Sequence, residues 1–240
     1  MRLMRSMLSE SVQNYLKAIY RLREDGPRVS TNALAERLSI APASVTGMVK
    51  KLAEIKLVDY EPYQGVQLTQ GGERVALEII RHHRLIELYL TQAMGYPWDR
   101  VHEEAERLEH AISEEFEDRI SNILGNPTYD PHGDPIPAKD GSVAVPSRST
   151  LAELAPGDSA RVARVRDDDP LFLRKCGELG LRPSAIVTMI ENLRDTDSLT
   201  VALRSDSGTN ERHVLTREFA QKINIMSESV AGKPLNNTPQ

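Results

Sequence analysis

The chain has 240 residues, 40% hydrophobic and 27% charged, with a formal net charge of −5 and one cysteine. No apolar run approaches the ~20 residues of a membrane helix, and the opening "MRLMRSMLSE" has no signal-peptide core, so a soluble, cytoplasmic protein that meets no membrane is expected. The single cysteine, Cys176, excludes an intrachain disulfide framework and a thiolate-rich zinc module, leaving His, Asp, Glu and amides for a chain-encoded metal site.

Charge is spread unevenly. Residues 1–80 carry 11 Lys/Arg and 9 Asp/Glu, residues 81–137 carry 5 and 12, and residues 138–240 carry 14 of each. A polyanion would meet the N-terminal third, whereas the middle third suits cations.

The first predicted element is a helix in "SESVQNYLKAIYRLRED", where Val12, Tyr15, Leu16, Ile19, Tyr20 and Leu22 fall at helical spacing and "DGP" ends the pattern. A short second helix opens at Thr31 or Asn32 as N-cap and ends near Ser39. After a tight turn through Ile40–Pro42, "ASVTGMVKKLAEIKLV" carries a stripe of Val45, Met48, Val49 and Leu52. Two short helices so closely joined predict a helix-turn-helix. Off that stripe lie Ala43, Ser44, Thr46, Gly47, Lys50 and Lys51, small or polar first and basic later. Small side chains can approach base edges, hydroxyls bond bases or phosphates, and lysines reach the backbone. A hairpin follows, Leu57–Tyr60 and Val66–Thr69, turning around Tyr63–Gly65, and would be a wing. Thr31, Asn32, Tyr63 and Gln64 join the helix residues as candidate DNA contacts; a plain helical core with a polar surface is the alternative.

Two long helices come next, Gly72–Met94, closed by Gly95, and a second begun by Asp99 and running to about Gly125; they are expected to pack antiparallel. At ~100° per residue His102, Glu106, Glu109 and His110 share one arc of about 100° on the second helix. On the first, His83 and Glu87 form an i, i+4 pair that antiparallel packing could bring to the layer of His102. Surface ion pairs account for Glu114, Glu115, Glu117 and Asp118 but not for three histidines on the carboxylate faces. Clustered carboxylates with few cationic partners repel unless a cation neutralises them, which favours a metal. "HEEAE" lacks the second histidine of a zinc-protease motif, and the Glu-x-x-His of di-iron bundles would need Glu where Arg107 stands.

"TYDPHGDPIPAKDGSVAVPSRST", residues 128–150, reads as a domain exit and linker. Beyond it, Ala160–Val165, Ala185–Glu191, Leu199–Leu203, Glu211–Val214 and Lys222–Met226 are short strands with a helix at about Leu171–Leu179, which suggests an SH3-like barrel. Asp167–Asp169 is read first as a solvated loop and second as a source of one metal carboxylate. The tail after Ser227 reads as disordered. The fold class is mainly α with a small β domain. Its expected parts are a winged helix-turn-helix (1–72), a helical dimerisation and metal-binding domain (73–138), a linker (139–149), the SH3-like, FeoA-like domain (150–226) and the tail (227–240).

"YLKAIYRL", "LAERLSIAPASVTGMVKKLAEIKLV", "RHHRLIELYL", "VHEEAERLEHAISEEFEDRI" and "DPHGDPIP" together resemble the diphtheria-toxin-repressor family of metal-dependent transcriptional regulators, with its iron and manganese branches. The resemblance covers most of residues 8–138, and the barrel extends it to nearly the whole chain. It implies a homodimeric repressor of metal-uptake genes, not an enzyme, that binds a palindromic operator in double-stranded DNA and has no small-molecule substrate. It implies a primary metal site of Asn14, Glu106, Glu109 and His110, and an ancillary site of His83, Glu87, His102 and a barrel carboxylate best matched by Asp169. Position 14 is usually methionine in the iron branch and aspartate in the manganese branch, so the neutral amide of Asn14 departs from both; position 106 is cysteine in the iron branch and glutamate in the manganese branch. Oxygen ligands, one imidazole and no sulfur make a hard site suited to Mn²⁺, with Fe²⁺ the alternative and Co²⁺ or Zn²⁺ able to substitute in vitro. Two rival readings are a metal-dependent hydrolase with a winged interaction domain, which lacks a base beside an open coordination position, and a metal-independent winged-helix regulator.

Overall fold

The computed structural model describes residues 8–23, 26, 28–166, 169–204 and 210–227. Asp167, Asp168 and the tail beyond Ser227 lie outside the described residues. The chain forms two compact units: one holds the chain up to Tyr96, Val101–Asp130 and Pro135–Ala144, the other Pro97–Arg100, Pro131–Asp134 and the chain from Val145 on.

In the first unit α1 (Glu10–Leu22), α2 (Thr31–Leu38) and α3 (Pro42–Glu54) precede the hairpin of β1 (Val58–Glu61) and β2 (Gly65–Leu68). Each helix start has a local cause. The Ser9 hydroxyl accepts from Val12 N–H at α1, and Pro42 occupies the first turn of α3, where its missing N–H costs nothing. At α2 the cap is Ser30, accepting from Ala33 N–H, and not Thr31 or Asn32 as the sequence suggested; the first of three consecutive polar residues already has the extended backbone a cap needs. Leu16, Ile19, Leu34, Val45, Val49, Leu52, Leu57 and Val66 are buried in one core that runs on into α4 (Gln70–Met94) through Val75, Ala76 and Ile79. Helix α3 thus shares one hydrophobic core with α1 and α2. At the base of the wing Val29 pairs with Val66 across a bridge. Gly65 has φ +98°, and a Cβ there would lie 2.5 Å from Val29 O, so glycine is required.

Helix α4 is capped by the Thr69 hydroxyl and closed by Gly95 in the left-handed conformation. The long second helix of the sequence reading is broken: α5 spans Val101–Leu108 and α6 spans Glu114–Ile123. Ser113 accepts from Phe116 N–H, and Glu114, Glu115 and Glu117 occupy the first turn of α6, where acids are favoured. A local cap thereby outcompetes helix continuation, leaving Glu109 and His110 on the turn between the two helices.

The second unit is an SH3-like domain built on a five-stranded antiparallel sheet. Its strands are β3 (Ser159–Val165), β4 (Ile186–Leu193), β5 (Ser198–Arg204), β6 (Asn210–Thr216) and β7 (Ile223–Ser227), in spatial order β6-β5-β4-β3-β7. Helix α7 (Pro170–Glu178) follows β3, and a short α8 (Arg217–Gln221), absent from the sequence reading, precedes β7. Val162, Leu173, Cys176, Val187, Met189, Val201 and Ile223 lie in its core. Burial pushes the Cys176 thiol up to about 12, which makes it an inert core residue. Part of the expected linker is built into this unit. The His132 ring stacks on Trp98, His132 Nε2 lies 2.7 Å from Trp98 O, and Arg164 pairs with Asp134 at 2.8 Å. Proline and glycine in "DPHGDP" specify turns here, not slack.

Candidate functional site

Helix α1 faces α4 and α5 in the first unit, and the polar residues at that contact form one connected network. His83 and Glu87 of α4 are fully buried, as is Glu109 on the turn after α5. His83 Nδ1 lies 2.5 Å from Glu109 Oε2, and His83 Nε2 lies 3.0 Å from both Glu87 Oε1 and His102 Nδ1. His102 Nδ1 is itself 3.0 Å from Glu87 Oε1, and His102 Nε2 is 3.6 Å from Glu106 Oε1. One ligand atom from each of His83, His102 and Glu106 lies within 4.8 Å of the others. The imidazoles and carboxylates that the sequence divided between two sites are therefore contiguous, with Glu109 touching both sets.

From α1 come Gln13, Asn14 and Lys17. Gln13 Oε1 lies 2.9 Å from His110 Nδ1. Lys17, buried, donates to Glu106 Oε1 at 2.7 Å and to Glu109 Oε1 at 2.5 Å. Neither Gln13 nor Lys17 was a sequence candidate. The available signal was that Lys17 stands three residues beyond Asn14, on the same helix face. Asn14 Oδ1 and His110 Nε2 are buried and make no hydrogen bond, although His110 Nε2 comes within 3.3 Å of Glu109 Oε1. Such buried acceptors are costly unless something completes them, and by type an amide oxygen, an imidazole and carboxylates are ligands that suit a hard divalent cation.

The electrostatics fit a cation layer. Burial opposes charge on Glu106, but the ammonium of Lys17 and the nearby His83 prevail and bring its pKa down to about 2. Glu109 is lowered likewise, against its burial, by His83 and Lys17. Burial also opposes a charged His83, yet Glu87 and the bond to Glu109 carry it up to about 9. His110 is lowered, chiefly by burial. Glu106 and Glu109 are thus held ionised by their pairing with Lys17 and His83, and His110 is inclined to its neutral form.

The other candidates fall elsewhere. Asp169 is in the second unit, where its Oδ1 caps α7 by accepting from Leu171 and Phe172 N–H. Glu117, expected on the surface, is buried: Arg81 Nε lies 2.5 Å from its Oε1 and His82 Nε2 lies 3.0 Å from its Oε2. Its partners are 36 and 35 residues away, so a local charge run concealed a long-range pairing. Of the DNA candidates, Asn32, Ala43, Ser44, Lys50, Lys51, Tyr63 and Gln64 are exposed, while Thr31 and Thr46 are partly covered. The Thr46 hydroxyl is engaged by Pro42 O. Tyr63 stands fully exposed at the tip of the wing.

A winged helix-turn-helix joined to a helical carboxylate and imidazole cluster, with an SH3-like domain besides, defines the class: a DNA-binding protein organised around a cation site. The comparisons agree. Residues 7–66 match the iron dependent repressor N-terminal DNA binding domain, residues 69–138 the iron dependent repressor metal binding and dimerisation domain, and residues 149–227 the FeoA domain. The iron-dependent repressor IdeR of Mycobacterium leprae is 34% identical over 195 residues, 76% of this chain and 84% of that protein. A manganese-dependent transcriptional repressor solved in complex with manganese is 38% identical, with a TM-score of 0.82 over 90% of this chain and 100% of that one. ScaR with bound Zn²⁺ is 29% identical, with a TM-score of 0.72 over 90% and 99%. The chain belongs to the diphtheria-toxin-repressor family of metal-dependent transcriptional repressors, which are DNA-binding proteins and not enzymes. Among the described residues no helix is long and apolar enough to cross a membrane.

Proposed function

We propose that this chain is a manganese-responsive repressor of metal-uptake genes in the cytoplasm, acting as a homodimer on a palindromic operator. Asn14, Glu106, Glu109 and His110 would hold the activating ion, and His83, Glu87 and His102 would form the ancillary site. The observation that carries the reading is the pair of buried atoms without hydrogen bonds, Asn14 Oδ1 and His110 Nε2, belonging to the α1 and α5 sides of a carboxylate cluster. When bound, the ion supplies positive charge that completes these donors and favours one setting of α1 against the turn after α5. The chain's own residues do the rest. Leu16 and Ile19 of α1 share a core with Val45 and Val49, so a fixed α1 fixes the recognition helix. Ala43 and Ser44 would enter the major groove near base edges, Thr31, Asn32, Thr46, Lys50 and Lys51 would hold phosphates or bases, and Tyr63 and Gln64 would bring the wing to the backbone.

Manganese is favoured over iron by ligand chemistry: three oxygen donors and one imidazole, without sulfur, are hard. The relatives carry both metals in their names, so the choice rests on that donor set. Raw affinity still follows the Irving–Williams order, so Zn²⁺ and Co²⁺ are expected to bind in vitro. The test is operator binding titrated anaerobically with Mn²⁺ and with Fe²⁺ at buffered free-metal concentrations. Activation by Mn²⁺ within the cellular range is expected; activation by Fe²⁺ alone would reassign the protein to the iron branch.

A further inference from the structure

Lys17 is the surprising member of the cluster. A lysine seldom becomes fully buried unless it is paired, and this one is 5% exposed with its ammonium on two carboxylates at 2.7 and 2.5 Å. Those carboxylates, Glu106 and Glu109, are half of the proposed primary ligand set. Their Oε1 atoms cannot serve the ammonium and a divalent ion together: an ion at bonding distance from the same oxygens would face a buried like charge only a few ångströms away, where water screens poorly. We propose that Lys17 is a tethered cation that competes for the primary site. It holds Glu106 and Glu109 in the metal-free chain, and a divalent ion gains them only by displacing it.

The proposal rests on reading those residues as a metal site, and it adds a threshold to that site. A buried carboxylate pair without a countercharge would repel itself; Lys17 lets the cluster stay folded and compact before metal arrives. The same pairing weakens every divalent ion, because whichever ion enters must first break two charge-assisted bonds. Displacement costs the same whatever ion replaces the ammonium, so Lys17 shifts the concentration at which metal binds without changing the order of preference among metals. Lys17 and Asn14 share one face of α1, so in the metal-free chain the ammonium links that face to Glu106 of α5 and to Glu109.

The test uses the full-length chain as wild type and Lys17→Met, stripped with chelator and titrated with Mn²⁺ and with Zn²⁺ against a metal-indicator chelator. Lys17→Met should bind both ions at least about tenfold more tightly, by similar factors, because no buried charge has to be expelled. Equal or weaker binding by Lys17→Met overturns the proposal while leaving the metal reading intact. Failure of both proteins to bind either ion overturns the metal reading and the proposal with it. A second measurement needs no variant: acylation of Lys17 in wild type by an amine-reactive ester, read by mass spectrometry. Protection without Mn²⁺ and several-fold faster labelling with it are expected; labelling that Mn²⁺ leaves unchanged overturns the proposal.

Discussion

Adjacent residues of α4 lead into two buried charge networks that differ in kind. His82 joins Glu117, and Arg81 closes that network completely: its Nε meets Glu117, one terminal nitrogen meets Pro137 O and the other the Ser121 hydroxyl, while His82 Nδ1 meets Glu109 O. His83 joins Glu87, Glu109 and His102 in a network where Lys17 sits on two carboxylates and Asn14 Oδ1 and His110 Nε2 still make no hydrogen bond. The first is satisfied by its own atoms and holds α6 to α4. In the second, two buried ligand atoms make no hydrogen bond, as the proposed metal site requires. Burial and charge are common to both, so neither distinguishes a metal centre from a structural brace; unsatisfied ligand atoms do.

That contrast can be broken by mutation. The largest effect on folding is expected from Glu117→Gln, which leaves Arg81 buried without its counter-charge and should cost about 3–5 kcal/mol in denaturant unfolding. Its metal affinity should be unchanged; a large loss of affinity would join the two networks into one. Glu109→Ala combined with His110→Ala should do the reverse, removing Mn²⁺ activation of DNA binding by at least about 100-fold, since loss of outer-shell partners alone can cost 10–100-fold. Metal titration read by fluorescence anisotropy checks this. Asn14→Asp replaces a neutral amide by a charged oxygen and should tighten Mn²⁺ binding by about tenfold, measured by chelator competition; weaker binding would mean that Asn14 does not ligate. Among the smallest effects, Lys50→Ala should lower DNA affinity uniformly across sequences and reduce the salt slope by about 1.

Both networks set an acid limit for the metal-free protein, through Glu117 in the first and Glu106 in the second, and the second adds an alkaline limit through His83. Glu117 falls from 4.5 to about 2, so the unfolded chain binds more protons between those values; its contribution is full above 4.5 and is lost as pH falls toward 2. His83 rises from 6.5 to about 9, so its contribution is full below 6.5 and is lost as pH rises through 9. Unfolding midpoints measured across pH in chelator should therefore fall at both ends, with Glu117→Gln reducing the acid-side fall, the remainder belonging to Glu106 and Glu109, and His83→Gln flattening the alkaline side.

Helical periodicity in residues 9–94 was legible because apolar stripes repeat every three or four positions over long stretches, and the hairpin was legible because turn residues separate two alternating runs. The histidines and carboxylates of the cluster were legible for a similar reason, since i, i+4 spacing places them on shared faces. What was hidden depended on competition or distance. The break before Ser113 arose because a cap within a charged run defeated helix continuation. Lys17 reaches Glu106 and Glu109 across 89 and 92 residues, a separation at which no local pattern carries information. Glu117 looked solvated because its neighbours in sequence are, while its partners stand on α4.

Filling the His83-side network with Mn²⁺ is expected to change DNA binding. This is tested most directly by selecting DNA from a random library with the Mn²⁺-loaded protein and measuring its affinity by anisotropy, with Mn²⁺ and with chelator, at one fixed salt concentration. A rise of at least about 100-fold with Mn²⁺, abolished in Glu109→Ala with His110→Ala, is predicted. Equal affinity with metal and with chelator would contradict the account.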